Sequence, residues 1–319
     1  MPQLLAALSL IIVLALTSLL VGVSPVSVQN LLMGGDERAM MVLLVSRIPR
    51  TLALILAGMG MAMAGMIMQM LARNRFVEPS TAGTTESAGL GMLVVLLFFP
   101  DAPVWIKMII ASLFALLGTA LFLRILRMLP LRSVLLVPLV GIMLGGVIAS
   151  ITTFFAYRFE LLQSLNAWTT GDFSSVLRGR YEMLWVSAGL TGIAWIAADR
   201  FTVAGMGEDF TTNLGLNYRR VLTLGLVIVS LISAIVVVTV GMIPFLGLIV
   251  PNVVSMIMGD NMRRSIPWIA LFGAGFVLAC DIIGRVINQP YEIPIGTVVG
   301  VVGSVIFLYL LLRKDARYG

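Results

Sequence analysis

The chain contains no histidine and a single cysteine, Cys280, among 319 residues. The first absence removes the commonest transition-metal ligand and the usual acid–base group of neutral-pH chemistry. The second excludes an intramolecular disulfide and a cysteine metal cluster. Charge is also scarce: Asp, Glu, Lys and Arg make up 11% of the chain, where a soluble domain carries roughly a quarter. No Gly-x-x-x-x-Gly-Lys-Ser/Thr loop occurs, so there is no visible means of cradling nucleotide phosphates. A membrane enzyme would need a nucleophile–base pair or metal ligands, and this inventory offers neither.

What is abundant is apolar. Hydrophobic residues make up 60% of the chain, in runs near 4–23, 51–72, 81–99, 104–123, 134–157, 183–198, 221–241, 243–258, 266–284 and 294–312. A helix needs roughly 20 residues to cross about 30 Å of hydrocarbon. The pattern therefore predicts an all-α polytopic membrane protein, about ten transmembrane helices in one domain, 1–319. The first run is longer than a signal core, Met1-Pro-Gln3 carries no basic residue, and no convincing cleavage site follows, so it reads as a retained helix. Met59, Met61, Met63, Met66, Met68 and Met70 crowd the second run. Their spacing includes i+2 steps and cannot place all of them on one helical face, which points to adaptable packing rather than a copper-binding stripe.

The segment Gly241-Met-Ile-Pro-Phe-Leu-Gly-Leu-Ile-Val-Pro251 sets two prolines and two glycines in otherwise apolar sequence. Each should weaken a simple membrane anchor. Such breaks are tolerated at membrane depth where protein or a water-filled cavity satisfies the backbone. The segment reads as part of a conduit.

That segment resembles the late signature of the iron-siderophore and cobalamin (FecCD-type) permeases of bacterial ABC importers. The resemblance continues through Met258-Gly-Asp-Asn-Met-Arg-Arg264, Ala279-Cys-Asp-Ile-Ile-Gly-Arg285, Tyr291-Glu-Ile-Pro-Ile-Gly296 and Phe307-Leu-Tyr-Leu-Leu-Leu-Arg313. It begins at Ser46-Arg-Ile-Pro-Arg-Thr-Leu52, Gln69 and Ala72-Arg-Asn74, so matches run in the family's order from about residue 46 to residue 313. The resemblance implies a type II ABC importer permease in the bacterial cytoplasmic (inner) membrane, with both termini cytoplasmic. Its implied role is to pass ferric-siderophore complexes from an extracytoplasmic substrate-binding protein to the cytoplasm, with cobalamin or haem as alternative cargoes. The implied partners are a second permease, identical or paralogous, and two ATPase subunits that bind ATP and Mg. The chain itself is then no enzyme and holds no cofactor or metal, and its net charge of +6 needs no nucleic acid, only anionic lipid.

With both termini inside, the inner loops hold thirteen of the 21 basic residues, as the positive-inside rule expects. Arg47, Arg50 and Arg285 fall on the outer side. Taken alone they could snorkel to the headgroups or form a basic collar for a partner's carboxylates. In the permeases this chain resembles, arginines at matching positions meet glutamates of the binding protein, which assigns Arg47, Arg50 and Arg285 to docking. Asp281, four residues before Arg285, shares its helix face and reads as orienting it.

The polar inner loop at about 199–220 is a solvated loop by composition. The resemblance makes it the coupling loop, with Glu208, Leu214 and Gly215 as ATPase contacts. Asn74 and Phe76 stand where relatives have a cytoplasmic gate; a plain helix-ending turn before Pro79 is the other reading. The sequence departs from the family here, with Arg75 and Phe76 for the usual proline and leucine, and again at Asn252, which replaces a histidine. Glu86, a costly charge for a span, either faces the pathway or pairs with an arginine. Gly141, Gly145 and Gly146 form a small-residue face suited to helix packing. Because this span also lines the pathway in the family, Gly141 and Gly145 join Glu86 as pathway candidates. An ion-coupled secondary transporter, a class rich in broken helices and buried ionisable groups, would have Glu86 as its coupling carboxylate, although no internal repeat shows.

Overall fold

The computed structural model describes residues 2–22, 37–129, 136–259 and 261–312. In chain order the helices are α1 (Pro2–Leu20), α2 (Glu37–Val42), α3 (Ile48–Ala72), α4 (Thr84–Phe98), α5 (Val104–Met128), α6 (Leu136–Arg158) and α7 (Leu162–Thr169). They continue as α8 (Leu184–Ile196), α9 (Ala198–Gly205), α10 (Glu208–Asn213), α11 (Tyr218–Val240), α12 (Leu246–Met258), α13 (Met262–Ile287) and α14 (Ile295–Leu312). A π-helical turn, Leu43–Arg47, joins α2 to α3, and a 3-10 turn, Ser80–Ala82, precedes α4. Arg132, Arg313, Lys314 and Arg317, counted above on the inner side, lie outside the described residues.

A helix that is apolar all round has no face for water and belongs inside. That is the place of α3, which packs against α8, α11, α12 and α13. Met61, Met63, Met66 and Met68 are all buried although they point in different directions, because every side of α3 is core. Backbone approaches are very close at two points. A Cβ on Gly58 would lie 2.5 Å from the Gly273 carbonyl oxygen, and one on Gly65 would lie 2.0 Å from that of Gly247. Small residues permit such contact where lipid supplies no hydrophobic drive between helices.

The ten apolar runs correspond to ten helices of unequal reach. Among the described residues six, on Gln3–Leu20, Ala39–Ala72, Val104–Leu126, Leu136–Arg158, Tyr218–Val240 and Arg263–Ile287, are long and apolar enough to cross a membrane. Thr84–Phe98, Leu184–Ile196, Leu246–Met258 and Ile295–Leu310 are shorter apolar helices. At 1.5 Å per residue the 13 residues of α12 rise about 20 Å, less than the ~30 Å hydrocarbon core. The set agrees with the expectation of an all-α polytopic protein of about ten transmembrane helices. Irregular backbone adjoins two of these short helices, Gly241 to Phe245 before α12 and Arg73 to Gly83, with its 3-10 turn, before α4.

Gly65→Ala should lower the thermal unfolding midpoint of the detergent-purified protein, because overpacking a tight contact costs about 1–3 kcal/mol or more. Gly146→Ala, where an added Cβ meets nothing within 4 Å, should leave it unchanged.

Candidate gate and coupling surface

The candidate gate loop starts where α3 stops. Arg73 takes a left-handed conformation (φ 49°) and ends the helix. Asn74, buried, then folds back, its N–H donating to the Gln69 carbonyl at 3.0 Å and its Oδ1 accepting from the Phe76 N–H at 2.8 Å. The Phe76 ring meets Phe307 of α14 edge-on, with centroids 6.0 Å apart.

The loop is fastened to α12 by side chains. The first N–H groups of any helix lack partners within it. At α12 the chain enters through Phe245, also left-handed (φ 62°). Glu78, fully buried, sends its carboxylate to this end. Oε1 accepts from the Phe245 N–H at 2.9 Å and from the Ser80 hydroxyl at 2.5 Å, while Oε2 is buried near Gly247. Burial pushes the Glu78 carboxyl above the usual carboxylate range, and hydrogen bonds from Ser80 and the α12 backbone pull it the other way. A carboxylate at a helix N-terminus also meets the favourable end of the helix dipole. Gln69 Nε2 donates to the Gly247 carbonyl at 3.2 Å, and Asn252 Nδ2 donates to the carbonyls of Arg75 and Leu248 at 2.8 and 2.7 Å. Asn252, which the sequence left without a role, holds the gate loop from the other side.

The inner loop builds directly on the same end of α3. α9 buries Phe201 and sets Gly205 against Met70, and Asp199 pairs with Arg263 of α13 at 2.7 Å. The Thr211 hydroxyl donates to the Gly207 carbonyl at 2.6 Å and the Val203 carbonyl at 3.1 Å, folding α10 back on α9. What remains exposed is an apolar stripe of Met206, Phe210 and Leu214, spaced by four and flanked by the exposed Glu208 and Asp209. Gly215 (φ 78°) turns the chain beyond it with open space around its Cα. A cavity of about 500 Å³ separates α9 from the gate loop and α12, lined by polar residues including Gln69, Asn74, Thr202 and Asn252.

At the opposite end the three outer arginines do not form an open collar. Arg47, 6% exposed, donates to the carbonyls of Leu19 and Leu20 at 2.6 and 3.0 Å. Arg285, 4% exposed, donates to those of Ser18 and Val21 at 2.9 and 2.7 Å. Two guanidinium groups thus satisfy the last carbonyls of α1, which have no partner within the helix. Arg50 pairs with Asp281 at 2.7 Å and Glu292 at 2.6 Å, and Asp281 also pairs with Arg285. Exposed arginines of this end include Arg158, at the close of α6, and Arg178 and Arg180, in a segment tied to the π-helical turn by the Arg178 N–H, which donates to the Val45 carbonyl at 2.9 Å.

The profile of the FecCD transport family matches residues 10–313. The chain belongs to the FecCD transport family. It is 50% identical over 307 residues to the petrobactin import system permease protein YclN of Bacillus subtilis (strain 168), covering 96% of this chain and 97% of that one. It is 41% identical over 300 residues to the ferric-anguibactin transport system permease protein FatD of Vibrio anguillarum, covering 94% and 95%. A solved metal-chelate type ABC transporter in an inward-facing conformation superimposes with a TM-score of 0.79 at 25% identity, covering 97% of this chain and 98% of that one. The fold is that of a type II ABC importer permease, and the FecCD chain is a multi-pass protein of the inner membrane.

Among its pathway candidates, this FecCD permease uses two glycines for packing. A Cβ on Gly141 would strike the Thr81 carbonyl oxygen at 1.9 Å, and one on Gly145 would touch the Glu86 carboxyl at 3.4 Å. Glu86 sits in the first turn of α4, accepting from the Thr85 hydroxyl at 3.0 Å, and no basic side chain pairs with it among the described residues. Sequence reasoning missed Glu78, Met206 and Phe210. The available signal for Glu78 was an acidic residue before proline in a loop between two apolar runs.

Glu78→Ala should destabilise the purified protein by about 1–3 kcal/mol, the cost of orphaning buried partners. Glu78→Gln keeps an acceptor for Phe245 and should cost less, as thermal unfolding of the two variants will show. Arg50→Ala strands one side of a buried ion pair, a loss of roughly 3–5 kcal/mol, and should sharply reduce folded protein in the membrane.

Proposed function

We propose that this chain is the pathway-forming subunit for ferric siderophores in an ATP-driven importer. It works with a second permease, two ATPase subunits and an extracytoplasmic binding protein. The observation that carries the reading is the direct connection from the exposed Met206–Phe210–Leu214 stripe, through α9 and the end of α3, to the gate loop and α12. A force applied at the stripe reaches Asn74 and Phe76 through packed side chains, without a flexible linker. The chain lacks a phosphate-cradling loop, so ATP and Mg belong to the partners, and the stripe suits an apolar groove on an ATPase. Glu208, Leu214 and Gly215 remain in that contact, joined by Met206 and Phe210. The surface of α6, which buries only Val137, Gly141, Gly145, Thr152 and Ala156, suits a second permease. Relatives named for petrobactin and ferric anguibactin favour a siderophore over cobalamin or haem.

The binding protein belongs at the opposite end, outside the membrane, with both termini of this chain in the cytoplasm. There Arg47, Arg50 and Arg285 support docking by bracing the ends of α1, α3 and α13, while Arg178 and Arg180 present exposed guanidinium groups to acidic side chains.

Proteoliposomes holding this chain with its permease and ATPase partners, and binding protein added outside, should accumulate ferric siderophore only when ATP and binding protein are both supplied. Accumulation driven by an ion gradient alone would refute the proposal. Phe210→Ala or Leu214→Ala should weaken ATPase association about tenfold or more, as truncation of an interface hot spot does, with membrane abundance unchanged. The double substitution Arg178→Glu, Arg180→Glu should reduce uptake at unchanged abundance, whereas Arg50→Glu should reduce both.

A further inference from the structure

Near the end of the molecule that carries the coupling segment, α1 and α13 part company. They cross closely at Gly275, where an added Cβ would lie 2.7 Å from Ile11 Cδ1. One to three turns away a cavity of about 280 Å³ opens between them and α12, lined by Gln3, Ala6, Val254, Ile257, Trp268 and Phe272, with Met258 at its edge. Its size is near the lower end of ligand pockets, ~300 Å³, and Gln3 is its only amide-bearing or charged side chain. Trp268 and Phe272 line one wall with rings 6.3 Å apart. Residues four apart share a helix face, so the face that carries these rings continues to Arg264, which is exposed at the first turn of α13. Arg263 pairs with Asp199, but among the described residues no carboxylate pairs with Arg264. The positive end of the α13 dipole lies at the same level.

An apolar cavity topped by an indole and by a cation with no carboxylate partner among the described residues is complementary to an amphiphile whose polar end is negative. Indole rings favour the boundary between hydrocarbon and headgroups, and basic residues there attract anionic lipid. We propose that this wedge is a binding site for one anionic glycerophospholipid, with an acyl chain between α1, α12 and α13 and its phosphate on Arg264. The lipid braces the far end of α12, whose near end Glu78 holds, and so completes the support of the helix that carries Asn252. The site is independent of the cargo and of the ATPase contact.

The test is native mass spectrometry of the detergent-purified full chain, with any partner subunits that co-purify, after delipidation. Phosphatidylglycerol and phosphatidylcholine of matched chain length are added back separately. One phosphatidylglycerol should be retained per chain in preference to phosphatidylcholine. Arg264→Gln, a surface change that leaves the fold intact, should reduce that preference roughly fivefold, the worth of one basic residue at a membrane surface. Ala6→Phe, which fills the cavity, should reduce retention of both lipids. Equal retention of the two lipids by the unaltered chain, or indifference of phosphatidylglycerol retention to either substitution, would overturn the proposal.

Discussion

The permease depends on how it closes the backbone around the interruption between α11 and α12. Five residues leave helical geometry inside an apolar bundle, and one enters the left-handed region without being glycine. Exposed N–H groups cost several kcal/mol each in hydrocarbon, so the break survives only if a side chain reaches it. Glu78 does so from a distant loop, its Oε1 accepting from the Phe245 N–H at the N-terminus of α12. The same contact joins the candidate gate loop to the broken helix. Gly65 and Gly247 let the two backbones come close enough for Gln69 and Asn252 to complete the seam.

A different solution operates at the other end. Arg50, Asp281, Arg285 and Glu292 form a set with no net formal charge, two of them, Asp281 and Arg285, nearly sealed from solvent. Buried ion pairs add little stability over an apolar replacement, yet breaking one by removing a partner is costly. Such a set rewards correct registry between α3, α13 and the segment before α14. Two of the arginines also collect the terminal carbonyls of α1, a helix that otherwise turns most of its surface outward.

The parts of this arrangement legible in sequence are those set by local composition. Apolar runs locate the helices, glycine and proline locate the break at Gly241–Phe245, and a polar stretch locates the exposed α9–α10 segment. Leu214 and Glu208 are exposed as a solvated loop requires, whereas Phe210 was invisible as a contact because its neighbours, and not its identity, leave it outside the core. Glu78 was missed because its meaning comes from Phe245, 167 positions away. The arginines were located but their surroundings were not. Arg50 finds its carboxylates 231 and 242 positions later, and no local pattern distinguishes an arginine at a helix end that faces water from one that faces a buried acid. α4 is shorter than its apolar run at 81–99 for the same reason, since flanking residues of suitable hydropathy can be irregular when other segments satisfy their backbone.

The central helix has a mechanical consequence. α3 begins beside Arg47 and Arg50, ends at the loop that holds Asn74 and Phe76, and is flanked on its inner end by α9. Its 25 residues span about 37 Å at 1.5 Å per residue, with no proline beyond its first turn to bend it. Such an element is stiff along its length, and its closest backbone contacts, at Gly58 and Gly65, lie between its two tips. The two ends of the bundle are therefore joined by one rigid member.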